Sequence, residues 1–139
     1  MTHKSDKIAA LLQPHLGGTL DSHYLAFFDC FNRQLFFEAH EVLEDLWLAD
    51  RGPDRAFYQG LIQLAGAFVH FQKNRFRPAS ALLRLAATNL ARYPREHQKL
   101  SVHHILARIA VWQDVLAESS YAMNPFIETG YPSLNLASD

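Results

Sequence analysis

The chain has 139 residues, which is enough for one domain with a substantial hydrophobic core. Hydrophobic residues make up 49% of it and charged residues 19%, a composition that excludes a disordered body. The net charge of −1 excludes a strong overall field that would draw the protein to nucleic acid or to a membrane surface. The single cysteine, Cys30, excludes a disulfide framework, and its phenylalanine neighbours predict a small, buried side chain.

Apolar residues recur at helical spacing along nearly the whole chain, and no stretch alternates with a period of two. In chain order, the first three helices are predicted over 8–13, after a cap at Asp21 or Ser22, and over 36–49. The fourth begins after a cap at Asp54 and ends at about Lys73, the fifth runs from Pro78 to about Tyr93, and the sixth covers about 98–119. The predicted fold class is therefore all-α. We expect a small bundle of about five to six helices, built from antiparallel helical hairpins. It forms a single domain over 1–139 with an extended tail over 120–139.

A weak internal repeat appears at an offset of 40 residues. The matched pairs are Phe31 with Phe71, Phe36 with Phe76, Ala39 with Ala79, Leu43 with Leu83, and Leu46 with Ala86. Each set spans a turn between two predicted helices. Repeated helical hairpins of this length are typical of tetratricopeptide-like packing, which stays open as an alternative to a simple bundle.

No apolar segment follows Met1, so no signal peptide is expected and a cytoplasmic location is the default expectation. The longest stretch without a formal charge runs over 56–72, but it contains three glutamines and a histidine. It is also shorter than the roughly 20 apolar residues of a membrane-spanning helix. This stretch is predicted to be a core helix, and no membrane partner is expected.

The helix over 36–49 places a histidine inside an apolar stripe. At about 100° per residue, His40 falls with Phe36, Leu43 and Trp47, while Glu44 is its neighbour one turn later. A buried imidazole needs partners for its ring nitrogens, and a carboxylate at i+4 can supply one. A histidine bonded within a helix pair, a metal ligand and an acid–base role all remain open for His40.

The helix over 56–72 has two unlike faces. Phe57, Leu61, Leu64, Phe68 and Phe71 share one face, whereas Gln59, Gln63, Gly66 and His70 share the opposite face. That second face is polar but uncharged, and the glycines at 60 and 66 allow another backbone to come close. We expect both faces to be covered, with the polar row meeting His40 and Glu44. The alternative is that the row meets water.

Two motifs in this region resemble a known family. The run over 37–44 (FEAHEVLE), then Trp47, then the run over 57–65 (FYQGLIQLA) is similar to the domain-of-unknown-function family 309. The resemblance covers about 31–90 and implies a small all-helical bundle, found mostly in bacteria and archaea, with no established activity. Its signature positions are Glu38, His40, Glu41, Glu44, Trp47, Gln59, Gly60 and Gln63. The chain departs from the family pattern at the turns, where Gln34, Lys73 and Pro78 replace glycines.

The preferred hypothesis for function is a non-enzymatic binding or scaffold module in which a buried His–Glu–Gln network fixes helix register. It needs no cofactor, and its partner is an unidentified protein or a small ligand. The alternative is a metal-dependent, hydrolase-like site that uses His40, Glu44 and His70, with a divalent metal such as zinc. Whether the protein is an enzyme stays open at this point.

Charge is unevenly distributed along the chain. Six acidic residues and one basic residue lie over 38–54, while eight basic residues and one acidic residue lie over 73–108. We expect two solvated faces that partly complement each other. The alternative is a basic surface for an anionic partner, although the composition disfavours nucleic acid. Self-association is a further alternative. Among the other histidines, we expect His3, His15 and His23 to be exposed, and the sequence indicates no fixed acidic partner for His97, His103 and His104.

Overall fold

Six α-helices account for most of residues 3–138, the part of the chain that this computed structural model describes. They are α1 (His3–Leu12), α2 (Ser22–Asn32), α3 (Phe36–Ala49), α4 (Arg55–Gln72), α5 (Phe76–Leu90) and α6 (Val102–Glu118). A short 3₁₀ helix, Gln13–His15, follows α1, and an antiparallel pair of two-residue strands, β1 (Glu96–His97) and β2 (Leu100–Ser101), precedes α6. The predicted all-α bundle is confirmed. The absence of a signal peptide is expected from the residues that follow Met1, and residues 1 and 2 lie outside the described part of the chain.

The predicted bounds of α3 are confirmed, and so is the cap of α2, where the Asp21 carboxylate accepts the backbone N–H of His23 at 2.7 Å. Asp54 does occupy the position before α4, but the prediction that it caps the helix is wrong. Its carboxylate makes no capping bond and binds the β1–β2 hairpin instead. Because that hairpin occupies 96–101, α6 begins at Val102 rather than near residue 98.

The internal repeat corresponds to two turns of the same geometry. Gln34, between α2 and α3, has φ of 62°, and Asn74, between α4 and α5, has φ of 56°. In both turns the following backbone N–H returns to the end of the preceding helix: Leu35 donates to the Cys30 carbonyl and Arg75 to the His70 carbonyl, each at 2.9 Å. A left-handed residue closes each hairpin, which explains why the repeat spans a turn.

Helix α4 lies between α3 and α5 and contacts both of them. The five large residues predicted to share its apolar face have no exposed surface, namely Phe57, Leu61, Leu64, Phe68 and Phe71. The close approach predicted at its glycines is also present, since a Cβ at Gly60 would lie 3.0 Å from Leu90 Cγ. The apolar face of α4 is therefore fully covered, whereas Gln59, Gln63, Gly66 and His70 on the opposite face are only partly buried.

The segment after α6 packs back onto the aromatic core. The Phe126 ring lies 5.1 Å from the Phe68 ring and 5.5 Å from the Trp112 ring, measured between centroids. Further along, the Asn32 side chain bonds the backbone N–H and carbonyl of Leu134. This segment therefore closes one side of the bundle. No helix within residues 3–138 is both long and apolar enough to cross a membrane.

Candidate functional site

Helix α3 brings His40 and Glu44 together as its i, i+4 spacing predicts. His40 Nε2 lies 3.3 Å from Glu44 Oε2, and both side chains are about 30% exposed (31% and 30%). Because Nε2 faces a carboxylate, it is the nitrogen that carries the proton in a neutral His40, and Nδ1 is then an acceptor. The pair is only partly buried, whereas the sequence predicts a buried network.

The glutamates of α3 pair with lysines of α1, whereas Asp45 lies 2.8 Å from His23 Nε2 of α2. Lys7 Nζ lies 2.7 Å from Glu41 and 3.7 Å from Glu38, and Lys4 Nζ lies 3.6 Å from Glu44. The sequence predicts only partial complementarity between the acidic segment and the basic half, and these three glutamates pair outside the basic half. Their partners come from the first helix of the chain, a region in which the sequence motifs gave no signal.

Gln63 belongs to a different polar pair. Its carboxamide oxygen accepts a hydrogen bond from Asn89 Nδ2 at 2.8 Å, which ties α4 to α5 rather than to α3. Gln59 lies one turn earlier, and its side chain has no hydrogen bond to any residue within 3–138. Among the described residues, the predicted His–Glu–Gln network is thus divided into a His40–Glu44 pair and a Gln63–Asn89 pair.

A groove on the surface of α4, between α3 and α5, contains several of the predicted site residues. Its volume is about 290 Å³, and apolar groups form most of its walls. The lining residues are Phe37, His40, Ile62, Gln63, Gly66, Val69, His70 and Leu82. We call this the α4 groove. Gly66 keeps its floor open, because any side chain there would project toward Leu82, whose Cδ1 would lie 3.3 Å from the added Cβ.

Two imidazole nitrogens beside this groove have no hydrogen-bond partner in the described chain. His40 Nδ1 and His70 Nδ1 are both covered from solvent, as is Trp47 Nε1 near the end of α3. A buried polar atom left without a partner costs about 1–3 kcal/mol. Burial, followed by repulsion from Arg75 and Lys73, lowers the pKa of His70, so its ring is neutral at pH 7 and carries an acceptor nitrogen.

The predicted metal ligands are not assembled into one site. The portion of the chain described, 3–138, contains no group of three or more His, Cys, Asp or Glu side chains placed to hold a metal ion. His40 and His70 line the α4 groove, whereas Glu44 does not. The alternative ligand set of His40, Glu44 and His70 is therefore corrected to a His40–Glu44 pair with His70 elsewhere along the groove.

Sequence reasoning missed a polar cluster that joins the start of α4 to the β1–β2 hairpin. Asp54 lies 2.7 Å from His97 Nε2 and accepts a hydrogen bond from Gln98 Nε2 at 3.0 Å. Gln98 also donates to the Tyr58 hydroxyl, while its carbonyl accepts from Tyr24. The partners are separated by at least 40 positions, so no local spacing could reveal them. The cluster holds Gln98 and the next residue at positive φ, which non-glycine residues rarely adopt.

The fold and the groove define a small all-α protein with one cleft shared by three consecutive helices. Residues 24–82 match the family model described as "Domain of unknown function (DUF309)", which confirms the resemblance that the two motifs indicate. Every residue that lines the α4 groove lies within the matched segment. No curated protein and no solved structure matches the chain, and tetratricopeptide-like packing therefore stays a prediction.

Proposed function

We propose that the protein is a binding module and that the α4 groove is its binding site. The observation that carries the proposal is the composition of the groove: mostly apolar walls with two imidazoles whose Nδ1 atoms lack partners within residues 3–138. Small-molecule sites typically combine apolar walls with a few polar groups that fix orientation. The signature residues His40 and Gln63 both line this groove.

The occupant that fits is a small, largely apolar molecule with one hydrogen-bond donor. A groove of about 290 Å³ lies at the low end of the volumes that small-molecule pockets have. A donor on the ligand would pair with an imidazole acceptor, of His40 or of the neutral His70. Both Nδ1 atoms are covered in the free protein, so we expect an imidazole side-chain torsion to change when the donor binds.

Indole is a suitable probe because it combines an apolar ring system with one N–H donor. We expect indole to cause saturable shifts in the NMR amide signals of α3 and α4 residues that line the groove. The analogue 1-methylindole has the same rings without the donor. It should bind about 3–10 times more weakly, which is the worth of one ordinary hydrogen bond.

The variant Gly66→Leu tests where indole binds, because its side chain would occupy the floor of the groove. Ala110→Leu, at an exposed position of α6 outside the groove, is the matched control. Loss of the shifts in Gly66→Leu and their retention in Ala110→Leu would support the proposal. If Gly66→Leu does not fold, Val69→Trp blocks the same groove at a partly exposed position. Absence of saturable shifts, or equal shifts in the blocked variants, would refute it.

A further inference from the structure

A separate cleft lies at the start of α4, away from His70. The loop before α4 contributes Gly52 and Pro53, the first turns of α4 contribute Arg55 and Gln59, and the residues after α5 contribute Arg92 and Tyr93. The volume of this cleft is about 520 Å³, and its walls are mainly polar. None of these residues lines the α4 groove, so any role of this cleft is independent of the proposed function above.

Arg55 is held in a fixed position at the edge of this cleft. Its Nη1 donates to the backbone carbonyls of Trp47 and Asp50, and its guanidinium carbon stacks 4.2 Å from the centroid of the Trp47 ring. A guanidinium has five N–H donors in a rigid planar array. The two carbonyls engage Nη1, which leaves the donors on Nε and Nη2 for another acceptor. The cleft therefore contains a preoriented cation with unused donors.

Two further polar side chains in the cleft lack partners in the described chain. The side chains of Arg92, which is exposed, and of Gln59 have no hydrogen bond or ion pair with any residue within 3–138. The nearby carboxylates are already engaged: Asp50 accepts the Gly52 N–H at 2.6 Å, and Asp54 binds His97 and Gln98. Two guanidinium groups and one carboxamide are thus available to an anion.

We propose that this cleft binds a small ligand through a phosphoryl group. Guanidinium groups bind phosphate oxygens with paired, parallel hydrogen bonds, and a phosphate dianion matches the charge of two arginines better than a single carboxylate does. Gln59 supplies an additional neutral donor for a third oxygen. The cleft is larger than a phosphate ion, so it leaves space for the small organic group that carries the phosphoryl group.

The test is a titration of the full chain with inorganic phosphate, followed by NMR of the Arg55 Nε–H and Gln59 side-chain amide signals at constant ionic strength. We expect saturable shifts with a dissociation constant of about 1–10 mM, and binding about tenfold weaker in Arg92→Gln. Arg84→Gln, which removes an exposed arginine of α5 outside the cleft, is the matched control and should bind phosphate as the parent does.

Three outcomes would overturn the proposal. The first is a set of shifts that does not saturate, which indicates only general ionic screening. The second is equal weakening in Arg92→Gln and Arg84→Gln, which indicates a diffuse charge effect. The third is equal affinity for sodium acetate and sodium phosphate, which would assign the cleft to anions in general rather than to phosphoryl groups. Because Arg92 is exposed, its replacement should leave the fold intact, and thermal unfolding of each variant verifies this.

Discussion

Burial changes the chemistry of single side chains in this protein, and Cys30 is the simplest case. Its side chain has no exposed surface, and burial raises the pKa of the thiol to about 11. Since the thiolate is the reactive form, the native protein should be inert to thiol reagents at pH 8. We expect a disulfide reagent to label Cys30 only when denaturant unfolds the chain. Rapid labelling of the folded protein would contradict this assignment.

The pKa of His70 is lowered, whereas that of Cys30 is raised. Burial disfavours its charged form, and Arg75 and Lys73 add repulsion, so the pKa of His70 lies below its ordinary value of 6.5. The unfolded chain then binds this proton more readily than the folded chain. Acidification below about pH 6.5 should therefore reduce the contribution of His70 to the free energy of unfolding.

The variant Arg75→Gln separates these two causes. Removal of one positive charge should raise the pKa of His70, measured by NMR titration of its imidazole, but should leave it below 6.5 because burial persists. Arg84→Gln, on an exposed part of α5, provides the control and should leave the titration unchanged. A His70 pKa above 6.5 in the parent protein would show that the environment of the imidazole is misassigned.

For single residues, the sequence predicted a contact correctly where both partners lie within one helical turn. The i, i+4 spacing predicted the His40–Glu44 contact, and the phenylalanine neighbours predicted the burial of Cys30. It failed for partners distant in the chain, such as Gln63 with Asn89, because periodicity gives the direction of a side chain but not the identity of the residue opposite it.

Among the elements, α4 depends on its two glycines in different ways. A Cβ at Gly60 would lie 3.0 Å from Leu90 Cγ and 3.2 Å from Asn89 Cβ, both in the covered interface with α5. At Gly66 the nearest atom is the end of the partly exposed Leu82 side chain, 3.3 Å away, which can move. The first site requires glycine for packing, whereas the second tolerates a methyl group.

We therefore expect Gly60→Ala to lower the free energy of unfolding by about 1 kcal/mol. Overpacking costs about 1–3 kcal/mol, and the better helix propensity of alanine returns up to about 1 kcal/mol. The melting temperature should fall by about 3–6 °C. Gly66→Ala, the matched control, should be as stable as the parent or slightly more stable. A Gly60→Ala protein as stable as Gly66→Ala would refute the close approach of α5.

The turns illustrate what a sequence pattern can predict about an element. The offset of 40 residues indicated two equivalent turns, and the family pattern placed Gln34 in the first of them. Gln34 and Asn74, which close the two turns, both adopt positive φ. The departure from glycine at Gln34 therefore changes the residue without changing the turn. The β1–β2 hairpin was missed because each strand has only two residues, too few for any alternation to be visible.

For the whole molecule, the matched segment 24–82 contains the α4 groove, while regions outside it complete the bundle. Helix α1 covers the acidic side of α3 with Lys4 and Lys7, and the segment after α6 inserts Phe126 into the aromatic core. The all-α class was predictable because helical periodicity extends along the chain. The contacts of the terminal segments were not, because they depend on how the helices are placed in space.

The most direct test of the central claim is the NMR spectrum of the histidine imidazoles during an indole titration, with signals assigned from His40→Gln and His70→Gln. We expect saturable changes at His40 or His70 in the parent protein, none in Gly66→Leu, and unchanged signals from His103, which is exposed on α6. Unchanged His40 and His70 signals at saturating indole, or the same changes in Gly66→Leu, would contradict the assignment of the α4 groove as the binding site.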